Sequence, residues 1–148
     1  MPFTLSIALA LATALGGSPA SVATLQQMPQ AGSVKEYVQT YFVDVPVMVS
    51  IAECESHFRQ IGEDKQVLEV TNTNGTYDIG IMQINSIHIT DAAKLGFDIN
   101  NLQDNLAYGK YLYDKQGTAP WNSSKACWKN SDAAKAAAAD QSLALATK

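Results

Sequence analysis

Val47, Ile51, Cys54 and Phe58 fall at helical spacing, and this apolar row predicts a helix that starts near Asp44 and Pro46 and runs to about Arg59. Proline suits such a start because a first-turn residue needs no intrahelical N–H donor. Upstream, "VKEYVQTYF" reads as a helix capped by Ser33, with Glu36 three residues on in capping-box position. Farther along, "TDAAKLG" reads as a brief helix ending at Gly96. The stretch "NLQDNLAYGKYLYDKQG" predicts a longer one, with Leu102, Leu106 and Leu112 inward and Gly117 as its stop.

Between the second and third of these helices the period changes. "IGEDKQ" is a polar connector; "VLEVT", "NTNG" and "TYDIG" then read as a β-hairpin, because Asn74-Gly75 supplies the positive φ angles of a tight primed turn. A short "IMQIN" element follows. "TAPWNSSKACW" reads as irregular, and the Ala-rich tail "SDAAKAAAADQSLALATK" has helical propensity but little apolar bulk to dock, so a loosely held segment is expected. No internal repeat is visible. Helices with one small hairpin predict an α+β fold, mainly helical.

With 148 residues the chain has room for one domain with a sizeable core, and its net charge of −4 gives no electrostatic attraction to nucleic acid. Residues 1–34 contain no charged side chain. Phe3–Leu15 is apolar but too short to span a bilayer comfortably, and it precedes two small-x-small triplets, "SPA" ending at Ala20 and "SVA" ending at Ala23. A secretory signal peptide at 1–23 is expected, followed by a polar linker at 24–33, a domain at 34–130 and the tail at 131–148. An n-region without Lys or Arg argues the other way, toward an uncleaved anchor. Export to an oxidising compartment would favour a bridge between Cys54 and Cys127, whereas two unpaired thiols, with Cys54 on the apolar face, are the alternative.

Glu55 borders the apolar row near the end of its helix, where a carboxylate loses water and its pKa rises. An ordinary helix-edge Glu is the plain alternative, and three segments taken together decide against it. These are "CESHF" at 54–58, "NTNGTYDIGIMQINS" at 72–86 and "NLAYGKYLY" at 105–113. Their order is Glu-Ser, then Gly-Ile-Met-Gln-Ile-Asn, then an Asn-Leu-x-x-Gly-x-x-Leu helix. Over residues 47–113 the chain thereby resembles the lysozyme-like superfamily, in particular bacterial lytic transglycosylases and C-type lysozymes.

That resemblance implies that Glu55 is the catalytic acid. It suggests Asp78, two residues before the Gly of "GIMQIN", as a second carboxylate; the alternative is an Asp bonding local backbone amides at a strand end. It also implies that Gln83 and Asn85 line a groove and hydrogen-bond N-acetyl sugars, with capping of a short helix as their alternative. Ser56 would hold the Glu or the sugar, and Tyr108 and Tyr111 would contact sugar; ordinary helix polarity and packing are the competing readings. Trp121 and Trp128 are candidates for the cleft rim, after core roles. The chain departs from the transglycosylase pattern in one place: "PWNSSKACW" stands where many have an "AYN" segment, leaving Asn122 as a substitute polar contact. The connector from Glu55 to Asp78 also looks longer than in animal C-type lysozymes. Arg59 would oppose protonation of Glu55 if it pointed back, and is expected to face solvent.

Other chemistries fit less well. Cys54 and His57 lie three apart, but Cys54 is near a helix C-terminus on an apolar face, which stabilises the thiol rather than the nucleophilic thiolate. Asn72, Asn74 and Asp78 supply one carboxylate, too few for a calcium loop, and His57 and His88 are too isolated for zinc. The expected function is cleavage of the β-1,4 linkage between N-acetylmuramic acid and N-acetylglucosamine in peptidoglycan glycan strands. No cofactor is needed, and a monomer acting in the cell envelope or outside the cell is expected. The acidic balance fits remodelling of the cell's own wall, by analogy for passage of a secretion apparatus, better than defence. The alternative of another class is a secreted, non-catalytic peptidoglycan-binding module with the same fold.

Overall fold

The structure, a computed structural model, describes residues 33–146, with side chains as far as Ala139. The expected signal peptide at 1–23 and the linker up to Gln30 and its next two residues lie outside the described residues. Helix α1, Val34–Tyr41, opens on the expected capping box: Ser33 Oγ accepts the Glu36 N–H at 3.2 Å and Glu36 Oε2 accepts the Ser33 N–H at 2.9 Å. Its Val38, together with Phe42 just beyond it, is buried against α2, Val47–Ser56, whose Val47, Met48, Ile51 and Ala52 form the middle of the core.

Helix α2 ends at Ser56, short of the expected Arg59. His57 and Phe58 both adopt left-handed conformations, with φ of 54° and 61°, and their amides turn back onto Glu53 O and Ala52 O. Two successive left-handed residues end a helix outright. Glu55 therefore lies in the final turn, beside the break.

The sheet is antiparallel in the order β1 (Glu69–Thr71), β2 (Tyr77–Ile79), β3 (Ile84–Asn85). The hairpin forms, but its turn differs from the expected two-residue primed type. Only Gly75 has positive φ, at 82°, the Gly75 N–H bonds Asn72 O at 3.1 Å, and the Asn72 N–H bonds Thr76 O at 2.8 Å. This is a three-residue loop with glycine in the left-handed position. Asn74 Oδ1 accepts from the Thr76 N–H at 3.1 Å and from Thr76 Oγ1 at 2.7 Å, so its side chain closes the loop and its backbone has no need of a left-handed angle.

The segment joining β2 to β3 plunges inward: Ile79, Ile81, Met82 and Ile84 are all buried. Buried amides from two other elements receive its backbone. Gln60 Oε1 accepts the Ile81 N–H at 2.9 Å, and Asn105 Oδ1 accepts the Met82 N–H at 2.9 Å. Gly80, at φ 70°, passes so close that a Cβ would sit 2.5 Å from Asn105 Nδ2.

A 3-10 turn at Ser86–His88 leads into α3, Ile89–Lys94, and Asn101 caps α4, Leu102–Gln116. Leu106 and Leu112 are buried as expected, and Leu102 is half-buried against the core. Residues 119–128 are more regular than expected: a 3-10 segment at Ala119–Ser124 runs into the short α5, Lys125–Trp128. Pro120 favours the start of this segment, and Trp121 anchors it by donating from Nε1 to Met82 O at 2.9 Å. The tail forms α6, Asp132–Ala146; Ala134 is buried and Ala137 packs on the core, so small residues dock its early turns beside α2. Cys54 and Cys127 form a disulfide that ties α2 to α5 across 73 positions. The fold is thus α+β and mainly helical. No described helix is long and apolar enough to cross a membrane.

Candidate functional site

A cleft of about 500 Å³ opens between the sheet, the end of α2 and the 119–124 segment. Glu55, Asp78, Gln83, Asn85, His88 and Trp121 all line it. Four of the six residues expected to catalyse or bind are therefore brought together, although they come from separate stretches of chain.

Glu55 is half-buried at the C-terminal end of α2, where the negative end of the helix dipole disfavours an anionic carboxylate. Burial pushes its pKa up from the ordinary carboxylate range; a hydrogen bond from Ser124 opposes this, and the nearby charge of Asp78 adds to the rise. Ser124 Oγ lies 2.5 Å from Glu55 Oε1. Arg59 is exposed and donates from Nε to Ser56 O at 3.0 Å, which caps the helix; among the described residues no cation pairs with Glu55.

Asp78 stands on β2 directly across from Asn85 on β3. Its Oδ1 accepts from Asn85 Nδ2 at 2.7 Å, so its bond is to a neighbouring side chain rather than to backbone amides. Asn85 does two things at once. Its Nδ2 also reaches Thr76 Oγ1 at 3.0 Å, and its Oδ1 accepts the Ile87 N–H at 3.1 Å to cap the 3-10 turn. Gln83 has φ of 48°, and its Nε2 donates to Gly80 O at 2.7 Å while the side chain borders the cleft. The left-handed backbone aims it toward the opening.

Two expected contacts are corrected. Ser56 is 1% exposed, and its hydroxyl bonds Ala52 O at 3.1 Å and Ile81 O at 2.8 Å. It pins the inward segment to α2 and does not line the cleft, because it falls on the buried side of a helix that Glu55 only borders. Tyr108 is also 1% exposed, with Phe97 and Tyr111 against its ring and its hydroxyl 3.4 Å from His88 Nδ1. It packs behind a cleft residue and does not meet the opening itself.

Other residues gain roles that the motifs did not signal. Ser124 is the partner of Glu55, where Asn122 had been the expected polar substitute; Asn122 is exposed and does not line the cleft. Trp121 is both core and cleft wall, and Trp128 Nε1 donates to Trp121 O at 3.1 Å. Nothing in the local sequence around Ser124 could have found it, since its partner is 69 positions away. Both cysteines lie in the disulfide, which removes the cysteine-nucleophile reading. Among the described residues no three His, Cys, Asp or Glu side chains gather as metal ligands.

Compared with protein-family models and with curated proteins, the sequence matches none of them.

Proposed function

We propose that the protein is a peptidoglycan-cleaving glycosidase, a lytic transglycosylase or lysozyme, acting on the β-1,4 bond between N-acetylmuramic acid and N-acetylglucosamine with Glu55 as general acid and base. One observation carries the reading: a half-buried carboxyl with a raised pKa, facing a second carboxylate in a polar cleft. Glycosidic oxygen is a poor leaving group unless it is protonated as the bond breaks, so the acid must still hold its proton near neutral pH. The half-burial and raised pKa of Glu55 support that role.

Glu55 donates its proton to the leaving oxygen, and positive charge develops at the anomeric carbon. Asp78, held by Asn85, stabilises that charge across the cleft. The carboxylate left at Glu55 then acts as base. It takes the proton either from the muramyl 6-hydroxyl, which closes an anhydro ring, or from water, which gives a reducing end. Gln83 and Asn85 are the proposed contacts to N-acetyl groups, and His88 and Trp121 the walls. The disulfide and the apolar, uncharged N-terminal stretch support action outside the cytoplasm.

Mass analysis of fragments released from purified sacculi tests this. Anhydro ends identify a transglycosylase and reducing ends a hydrolase. A protein that binds sacculi but releases nothing would instead be the non-catalytic wall-binding module.

A further inference from the structure

Ser124 has one hydroxyl proton and two acceptors within reach. Its Oγ is 2.5 Å from Glu55 Oε1 and 3.2 Å from Trp121 O. The carbonyl of Trp121 also accepts from Trp128 Nε1 at 3.1 Å. The indole of Trp121 is fixed in turn by Met82 O. The serine therefore stands on a rigid, buried base while its hydroxyl remains free to rotate between two partners.

From this geometry we infer that Ser124 is a positioning residue that holds the Glu55 carboxyl in both of its protonation states. With Glu55 ionised, the hydroxyl donates to Oε1. With Glu55 protonated, the carboxyl O–H donates to Ser124 Oγ, and the serine proton turns to Trp121 O. The one proton by which the two states differ is given to the leaving oxygen and taken back from the attacking hydroxyl or water; the serine keeps its own proton, and rotation of its hydroxyl leaves the carboxyl with a partner in either state. A carboxyl that acts first as acid and then as base needs such a partner, because a fixed donor would favour only the ionised form. The inference rests on the proposed acid–base role of Glu55.

The disulfide secures the arrangement from both sides. Cys54 immediately precedes Glu55, and Cys127 lies three residues beyond Ser124. The bridge thereby clamps the two segments that carry the hydrogen-bonded pair. The other titratable groups facing the cleft are Asp78 on β2 and His88 in the turn after β3, and neither hydrogen-bonds Glu55. Lys125 follows Ser124 but is exposed. Glu53 and Arg59, the charged neighbours along the chain, are also exposed.

The test is titration of the Glu55 carboxyl by carbon NMR in the wild type, Ser124→Ala and Ser124→Thr, with kcat, KM and pH profile on sacculi measured alongside. The bond to the charged carboxylate is the stronger of the two, so loss of the hydroxyl should raise the Glu55 midpoint, lower kcat roughly tenfold or more with little change in KM, and carry the alkaline limb of the rate profile upward by the same amount. Threonine, which keeps the hydroxyl, should restore both the midpoint and the limb. An unchanged Glu55 midpoint in Ser124→Ala overturns the inference, as does a threonine variant that behaves like alanine. A wild type that cleaves nothing, yet shows the midpoint shift and its rescue, upholds the Ser124 pairing and removes the proposed enzymatic role instead.

Discussion

Asn105 holds Met82 from within the core: its Oδ1 accepts the Met82 N–H at 2.9 Å, while its Nδ2 donates to Ile79 O at 3.0 Å and to Ile99 O at 2.7 Å. With Gln60 and Ser56, which hold Ile81, this fully buried amide sets the segment from which Asp78, Gln83 and Asn85 reach the cleft. Replacement by alanine would remove all three of these bonds from inside the core. Asn105→Ala should cost about 3 kcal/mol or more, read as a lower denaturant midpoint. An isosteric leucine should be no better, since it too removes the three bonds.

Gly80 supplies the complementary steric test. Its φ of 70° and the approach of Asn105 Nδ2 and Gln60 Oε1 to within 2.6 Å of a would-be Cβ make any side chain costly there. Gly80→Ala should destabilise by roughly 2–4 kcal/mol, combining left-handed strain with overpacking. Gly75→Ala should cost less, because positive φ is its only constraint and nothing lies within 4 Å of its Cβ position. Equal losses at the two glycines would contradict the packing described for Gly80.

The disulfide closes a loop of 73 positions, and removing it should cost about 4 kcal/mol by the chain-entropy relation. Cys54→Ser with Cys127→Ser, compared with wild type by denaturant unfolding, measures this. A loss under 1 kcal/mol would mean that Trp121 and Trp128 hold α5 in place without the bridge.

Much of this framework is legible in the sequence because it is local. Ser33 and Glu36 announce a capping box at fixed spacing, Asn74-Gly75 announces a reversal, and Leu106 and Leu112 announce an inward face. The misreadings arise where tertiary contacts overrule local preference. The apolar row continues to Phe58, yet two left-handed residues end α2 before it, and Ser56 turns inward because Ile81 O needs a donor. The 119–128 stretch lacks apolar periodicity and is made helical by the anchoring of Trp121. The cleft pair of Glu55 and Asp78 follows from motif order, whereas Ser124 does not, since only the folded chain brings it to Glu55.

The raised pKa of Glu55 has a stability consequence of definite sign. Through the window between the ordinary carboxylate pKa and the raised folded value, the folded state holds the Glu55 proton more tightly than the unfolded chain does. Stability from this group is therefore fully present at low pH, falls as pH rises through that window, and stays reduced above it. Glu55→Gln carries no charge and avoids the loss, while its carbonyl oxygen still accepts from Ser124. The variant should melt above wild type at about pH 7 and level with it at about pH 3. A variant less stable than wild type at neutral pH would mean that the ionised carboxylate is favoured in the fold, against the burial seen here.

The central claim is that Glu55 is the proton source for glycosidic cleavage, and the most direct measurement is the rate of fragment release from purified sacculi by wild type and by Glu55→Gln at equal bound protein. The account predicts release by wild type and a fall of at least about a thousandfold in the variant, with binding to sacculi retained. Equal release by the two proteins, or no release by wild type, would contradict it.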